Sequence, residues 1–464
     1  MRIQAFLPVM LLAGLLAGCV QDRPRPIAGC NYRAIPMTVP VARPDGTPGL
    51  QAGAPGALGA GQEAPSDAFT AQIQTQMAQR HAIRDVEPGA DHDQFLVLSG
   101  GGEHGAFGAG FFWGMDKVPT YDIVTGVSTG SLQSTLMFLA NSPVPADRTD
   151  YRWVDGRLAS QAPGEPHQFP IRPGTSNLGD LALAYSIGSE SDLMTRKLGG
   201  PAGIVFKGSA AGFGPLKARL KALLTLQTLD EVGRQRDEEG RGLYVGVVNL
   251  DDGYGYAIDM TELGSRIRAT RDMPEKLRLQ DCYVEALLAS SSVPPGVPPI
   301  TLETDHGTSM YMDGGARFGV FLQQLLPAIG HAATKDARVT VIANNSLESG
   351  PWEADGKPAL KWSAATFGLR AVDLLEGQVY RFSVNDAEGF GIKLGQMRMA
   401  YISNANLPGG EVPDDHRFEG NTCGAWRAID AKAKPLQFHP NYMACLADYG
   451  RSRGVTQAWN RAVP

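Results

Sequence analysis

A serine flanked by glycines is the first candidate for chemistry in this chain. Residues 126–130 read Gly-Val-Ser-Thr-Gly, with Ser128 at the centre, between a stretch that predicts a strand and one that predicts a helix. At such a turn the serine hydroxyl is exposed at a helix N-terminus, and the two glycines relieve crowding around a strained residue. We therefore expect Ser128 to be a nucleophile that attacks an acyl carbonyl carbon.

A glycine run earlier in the chain could stabilise the negative charge that such an attack creates. Gly100, Gly101 and Gly102 follow a predicted buried strand and precede a predicted helix, so their backbone N–H groups suit an oxyanion hole. The pattern Gly100-x-Gly102-x-x-Gly105 also fits the dinucleotide-binding fingerprint. That alternative predicts an acidic residue at the end of the next strand, where the sequence instead has the Ser128 turn.

A third motif supplies a carboxylate, and the three motifs together resemble a known family. Asp313 is followed by Gly314 and Gly315 after a predicted strand, which taken alone indicates a plain turn. In this order, the glycine run, the Ser128 turn and Asp313-Gly-Gly resemble the patatin-like phospholipases. The resemblance covers about residues 94–345 and includes the segment Ala289–Pro295.

The resemblance implies a Ser128–Asp313 dyad with no metal, cofactor or histidine in the acyl-transfer chemistry. In such a dyad Asp313 takes the serine proton, protonates the departing alcohol and later activates water. The implied substrates are membrane phospholipids or lysophospholipids, together with simpler carboxylic esters. The family often has Arg or Lys where this chain has His104, which we expect to be a solvated loop residue.

Two other interpretations stay open at this point. A Ser-Asp-His triad would need a histidine after the acid, and the candidates are His331, His416 and His439, none of which lies within a motif. Alternatively, the chain is a non-catalytic lipoprotein that keeps the fold in order to bind lipid or to scaffold a partner. The intact Ser128, Asp313 and glycine turn favour the enzyme.

Strands and helices alternate along the middle of the chain. Apolar runs predict strands at 95–98, 121–125, 243–250, 309–312 and 339–343, and helices at 105–115, 131–139, 281–289 and 319–329. This alternation predicts an α/β fold with three α/β/α layers and a mostly parallel central sheet. We assign residues 67–345 to this hydrolase domain, 143–214 to an insertion or lid, and 346–464 to a C-terminal extension packing on it.

The N-terminus predicts export and lipid anchoring. Residues 1–18 have a positive charge at Arg2 and an apolar stretch at 5–16 that is too short to span a bilayer, which is typical of a signal peptide. Leu-Ala-Gly-Cys at 16–19 resembles the bacterial lipobox, so we expect lipidation at Cys19 and a flexible tether over 19–66. Val20 after Cys19 favours the outer membrane of the bacterial envelope.

Composition narrows the remaining function classes. The formal net charge of -6 argues against a nucleic acid partner, and no residue cluster has metal-ligand spacing. No protein partner can be named from the sequence. Besides Cys19 there are four cysteines, Cys30, Cys282, Cys423 and Cys445, which allow three disulfide pairings. We favour Cys423 with Cys445, because they are close in sequence.

Overall fold

A computed structural model describes most of the chain. The described residues are 22–40, 63–84, 93–148, 174–197, 209–329, 337–347, 353–354, 357–358, 364–394, 397–403 and 413–462. The predicted signal peptide, Cys19 and His331 lie outside these ranges.

The helices of the described residues are numbered here in chain order. They are α1 (Asp67–Arg84), α2 (Gly105–Gly114), α3 (Thr129–Phe138), α4 (Asn177–Ala184), α5 (Gly214–Leu223), α6 (Leu226–Asp237), α7 (Met260–Ala269), α8 (Met273–Ser290), α9 (Leu322–Ile329), α10 (Ala364–Leu394), α11 (Cys423–Asp430) and α12 (Pro440–Val455).

The strands are numbered in the same way. They are β1 (Ala34–Pro36), β2 (Thr38–Pro40), β3 (Glu63–Pro65), β4 (Gln94–Leu98), β5 (Ile123–Val127), β6 (Thr195–Arg196), β7 (Ala211–Gly212), β8 (Gly242–Asn249), β9 (Gly255–Asp259), β10 (Ile300–Thr304), β11 (Gly307–Asp313), β12 (Arg338–Ser346), β13 (Glu353–Ala354), β14 (Lys357–Pro358), β15 (Met397–Ile402), β16 (Arg417–Phe418), β17 (Asn421–Thr422) and β18 (Arg461–Ala462).

One large sheet organises the molecule, in the order β1-β9-β8-β5-β4-β12-β15-β18, with β11 also paired to β8 and β10 to β11. The five neighbours β8, β5, β4, β12 and β15 are parallel. Helices cover both faces, which confirms the predicted three-layer α/β/α fold. In β4, Leu96 and Leu98 belong to one buried core while Phe95 and Val97 belong to the other, as a strand covered on both faces requires.

The N-terminal segment is attached to the body of the protein. Arg23 forms an ion pair with Asp251 at 2.7 Å, Cys30 is disulfide-bonded to Cys282, and β1 pairs with β9. The flexible tether predicted over 19–66 is therefore wrong for residues 22–40. A segment with few large apolar residues can be ordered here because a cross-link and sheet pairing supplement the burial of Met37.

The C-terminal segment completes the same sheet. The domain boundary predicted at residue 345 falls inside β12, and β15 and β18 extend the sheet beyond β12. A second disulfide joins Cys423 to Cys445, which were the cysteines paired on sequence grounds. Strands β15 and β18 of the predicted extension over 346–464 are thus part of the same sheet rather than of a separate unit packed against it.

Helices α2 and α12 cross at close range through glycines. A Cβ atom on Gly110 or Gly114 would overlap the α12 backbone, and one on Gly450 or Gly454 would overlap the α2 backbone. Because α2 starts directly after the glycine run at 100–102, this crossing also fixes the position of that turn. None of the described helices combines the length and the apolar character that crossing a bilayer would need.

Candidate active site

Ser128 occupies the sharp turn between β5 and α3. Its backbone has φ 52° and ψ -126°, a left-handed conformation that is strained for a residue with a side chain, and the residue is 7% exposed. A Cβ on Gly130 would lie 2.5 Å from the carbonyl oxygen of Leu98. The second glycine of the motif is therefore needed because the start of α3 passes directly over the end of β4.

Serine hydroxyls from α3 and from the end of α8 brace this turn. Ser290 accepts a hydrogen bond from the Ser128 backbone N–H at 3.1 Å and donates to the Gly246 carbonyl at 2.7 Å. Ser131 and Ser291 donate to the Ser128 carbonyl oxygen at 2.6 and 3.2 Å. The sequence similarity at 289–295 pointed to this segment but did not reveal that its hydroxyls hold the turn.

Strand β8 brings Ser128 and Asp313 together. Val127, the last residue of β5, pairs with Gly246, and Asp313, the last residue of β11, pairs with the next residue, Val247. Along this side of β8, pairing with β11 thus begins at the residue after the one where pairing with β5 ends. Two residues distant in sequence meet because both strands use one neighbour as their template.

The Asp313 carboxylate is buried and hydrogen-bonded. It accepts a hydrogen bond from the Gly315 backbone N–H at 2.7 Å, and the residue is 1% exposed. Burial raises the pKa of Asp313 to about 7, although the nearby Ser128 hydroxyl and the Gly315 N–H both act in the opposite direction. A carboxylate with this pKa can gain and lose a proton near neutral pH.

The glycine turn faces the same point with unused amides. Gly101 and Gly102 have φ of 148° and 54°, which a residue with a side chain rarely adopts. Among the described residues, the N–H groups of Gly100 and Gly101 find no hydrogen-bond acceptor. A Cβ on Gly100 would lie 2.8 Å from the Ser128 Cβ, so the turn is adjacent to the serine.

Asn344 in β12 supports the turn and was not found from the sequence. Its backbone N–H donates to the Ser99 hydroxyl at 2.7 Å, and its side-chain amide donates to the Ser99 carbonyl at 2.9 Å. No local pattern marks this residue, because its partner lies at the end of a strand far away in sequence.

His104 does not behave as the sequence suggested. It is half-buried rather than solvated, with Nδ1 at 3.1 Å from the Gly101 carbonyl oxygen and its ring edge-on to Tyr442. Burial lowers the pKa of His104 below its ordinary value. The side chain therefore packs against the glycine turn in its neutral form and brings no permanent positive charge.

The histidines considered for a triad have other partners where the structure describes them. His416 hydrogen-bonds to Asp448 at 2.9 Å, and His439 hydrogen-bonds to Glu103 at 2.9 Å. Burial opposes protonation of His439, but Glu103 outweighs it and raises the pKa of His439. Among the described residues, the groups that act on the Asp313 carboxylate are the Gly315 N–H, which donates a hydrogen bond to it, and the Ser128 hydroxyl.

Tyr380, on α10, reaches the same centre and was also missed from the sequence. It is 3% exposed, and a Cβ on Gly315 would lie 2.5 Å from its hydroxyl oxygen. Its pKa is raised, first by burial and then by the charge of Asp313. The hydroxyl lies at a cavity wall and makes no hydrogen bond to the described residues.

An apolar cavity ends at Ser128. Its volume is about 90 Å³, and most of the surface that lines it is apolar. Helices α3, α4 and α5 and the predicted insertion or lid contribute apolar walls: Leu132, Leu136, Tyr185, Leu193, Met194, Phe213, Leu216, Leu220, Leu223 and Leu224. An apolar lining of this kind suits an apolar chain.

A second, more polar cavity opens on the other side of the serine. Ser128, Gly102 and Met194 line both cavities, so the two meet at the candidate nucleophile. Charged side chains in the second cavity include Arg370 and Glu376 from α10 and Arg427 from α11. Among the described residues no cluster of His, Cys, Asp and Glu could hold a metal ion.

Comparisons with known proteins point to one family. Residues 96–326 match the family model described as patatin-like phospholipase. No curated protein matches the chain. Among solved structures, VipD from Legionella pneumophila is 12% identical over 79% of this chain and 67% of that one, with a TM-score of 0.27, a likeness too weak to carry an argument.

Proposed function

Residues 96–326 make this chain a patatin-like phospholipase, a lipid acyl hydrolase, and on that premise we propose that it cleaves carboxylic esters of membrane lipids through a Ser128–Asp313 dyad. The observation that carries the proposal is the position of the strained Ser128 next to a buried carboxylate whose pKa it affects, beside unused backbone amides. This arrangement brings a nucleophile, a base and oxyanion donors together at one site.

The reaction begins when the Ser128 oxygen attacks the ester carbonyl carbon and its proton passes to Asp313. The tetrahedral intermediate collapses, the bond to the alcohol breaks, and the alcohol leaves with the proton from Asp313. Water then attacks the acyl-serine and gives a proton to Asp313. The second collapse returns that proton to Ser128 and releases a fatty acid.

The negative oxygen of each intermediate would be held by backbone N–H groups of the glycine turn. Gly100 and Gly101 are the best placed, because their amides have no other acceptor among the described residues. Gly102 follows at the junction of the two cavities and is the third donor of the proposed oxyanion hole. Loss of one such donor typically lowers kcat by about 10²- to 10³-fold.

The two cavities suggest how a lipid would bind. The apolar cavity behind Ser128 suits the acyl chain, while the polar cavity with Arg370 and Arg427 suits the glycerol and head-group part. This division favours a phospholipid or lysophospholipid over a simple ester. Tyr380 lines the polar cavity, and its hydroxyl has no hydrogen-bond partner among the described residues, so we assign it a contact with the substrate ester.

The proposed setting is the bacterial envelope. The predicted signal peptide over 1–18, lipidation at Cys19 and Val20 after it support a lipoprotein anchored in the outer membrane. The two disulfides agree with export to an oxidising compartment.

The test is hydrolysis of p-nitrophenyl esters and of phospholipid and lysophospholipid by purified protein and its Ser128→Ala variant. We expect Ser128→Ala to lose roughly 10³-fold or more in kcat. Equal hydrolysis by both proteins, or none by either, would rule out the enzyme. The second case would favour the non-catalytic lipid-binding lipoprotein.

A second set of variants separates dyad from triad. Asp313→Asn should abolish turnover, while single Ala substitutions of His331, His416 and His439 should keep it. Loss of turnover in one of the histidine variants, with an unchanged melting temperature, would instead support a triad.

A further inference from the structure

Helix α10 exposes a row of large apolar side chains. Phe367, Leu374, Leu375 and Phe382 are 57, 45, 69 and 50% exposed. At 3.6 residues per turn they fall within about 100° of arc, so they form one continuous stripe on the outer side of the helix. Contiguous exposed apolar surface of this kind marks an interaction site more often than chance.

The opposite side of the same helix belongs to the catalytic centre. Tyr380 is buried next to Gly315 and Gly100, and Val372 and Glu376 line the polar cavity. The stripe is therefore separated from the substrate cavity by the thickness of a single helix. Leu436, which is 45% exposed, adds a further apolar group on the wall of the cavity.

The N-terminal end of the described chain lies at the edge of the sheet formed by the carboxyl ends of the parallel strands, where Ser128 also lies. Asp251, which binds Arg23, follows the end of β8, and in this parallel part of the sheet the ends of β4 and β5 carry the glycine turn and Ser128. Cys19 precedes Arg23 by four residues, and four residues span at most about 14 Å. A lipid on Cys19 would thus hold this edge, and not the opposite one, close to a bilayer.

We propose that the outer stripe of α10 is a docking surface for a lipid bilayer. The proposal rests on the proposed function and on the proposed lipid anchor. A lipid substrate and a lipid on Cys19 would each bring this edge of the sheet to a bilayer. Leu and Phe side chains suit the boundary between head groups and acyl chains, where an amphipathic helix lies with its apolar face inserted. Docked in this way, the polar cavity would lie one helix thickness from the membrane that supplies the substrate.

The test measures binding to phosphatidylcholine vesicles by cosedimentation. The parent protein is the full chain with Cys19→Ser, which removes the acyl anchor, and Ser128→Ala, which keeps the vesicles intact. The parent should bind, and Leu375→Ser with Phe382→Ser should weaken binding by about tenfold or more, because each side chain loses its transfer from water. Neutral vesicles make this readout independent of surface charge.

A matched control is Leu277→Ser with Val455→Ser. These residues are 46 and 64% exposed, and they lie near the far ends of α8 and α12, two helices that reach the catalytic centre at their other ends. The control pair should bind vesicles like the parent. When the parent instead keeps the native Ser128, the stripe variant should retain its activity on a soluble short-chain ester. Its activity on vesicles should fall about tenfold.

Three results would overturn the docking surface: no binding by the parent, equal binding by the stripe variant, or an equal loss in the control pair. A parent that dimerises through the stripe, with vesicle binding unchanged by the stripe substitutions, would assign the surface to a second copy of the chain. Because binding is read in the Ser128→Ala background, its outcome is separate from whether the protein is an esterase.

Discussion

At the scale of single residues, Asp313 has to be ionised before it can accept the Ser128 proton. Its pKa of about 7 predicts that kcat/KM on a soluble ester rises with pH and levels off above about 7. A pH–rate profile of the wild type checks this. A profile flat from pH 5 to 9 would contradict the assignment of Asp313 as the base.

The same raised pKa has a consequence for stability. A folded-state pKa above the ordinary carboxyl value contributes stability that is present below about pH 4 and is lost as the pH rises through about 7. Asp313→Asn keeps the shape of the side chain but cannot ionise, so its melting temperature should gain on that of the wild type as the pH rises from 4 to 8. Thermal melts of the two proteins across this range measure the difference, and parallel curves would show that ionisation of Asp313 costs the fold nothing.

Tyr380→Phe isolates one hydroxyl. The ring still packs beside Gly315, so we expect an unchanged melting temperature, while kcat falls by roughly 10- to 100-fold because the substrate loses a donor. Separate kcat and KM values for a soluble ester distinguish this from looser binding. Wild-type kcat would show that the hydroxyl does not contact the reacting atoms.

Residues in local turns could be predicted from the sequence, and residues that act across the fold could not. Ser128, Asp313 and the glycine run each lie in a short motif whose shape follows from neighbouring residues. Ser290, Asn344 and Tyr380 reach the same centre from separate elements, and nothing next to them in sequence marks their roles. Their positions follow only from the tertiary packing.

At the scale of elements, the crossing of α2 and α12 should be sensitive to a single methyl group. Gly450→Ala would place a Cβ against the backbone of α2, and overpacking of this kind typically costs about 1–3 kcal/mol. The displacement would also shift the glycine turn at the start of α2. We therefore expect a lower free energy of unfolding and a lower kcat, measured by urea melts and ester hydrolysis.

Gly368→Ala on α10 is the matched control for this substitution. A Cβ there meets nothing within 4 Å, so alanine should stabilise the helix by about 0.5–1 kcal/mol. A free energy of unfolding for Gly450→Ala that is no lower than that of the wild type would show that the helices can move apart without cost.

The apolar runs predicted the central elements well but missed α10. Strands β4, β5, β8, β11 and β12 and helices α2, α3, α8 and α9 all lie at predicted positions. Helix α10 has 31 residues, but its outer side carries apolar residues where an ordinary surface helix is polar, and it contains glycines that disfavour helix. Its pattern was therefore not recognisable as amphipathic.

At the scale of the whole molecule, two disulfides close loops of very different size. Cys30–Cys282 joins residues 252 positions apart, and Cys423–Cys445 joins residues 22 apart. In the chain-entropy account, losing the first should cost about 2 kcal/mol more than losing the second. Denaturation of Cys30→Ser with Cys282→Ser, compared with Cys423→Ser with Cys445→Ser, measures this difference, and a larger loss in the second pair would contradict it.

The reacting groups and part of the cavity walls come from different parts of the sequence. Ser128, Asp313 and the glycine turn all precede residue 326, whereas Arg427, Gln437 and Phe438 line the cavities from a later segment. Substitutions of these three side chains could accumulate during evolution without displacing an atom of the reaction. Two descendants of this chain could then share one mechanism and hydrolyse different lipids.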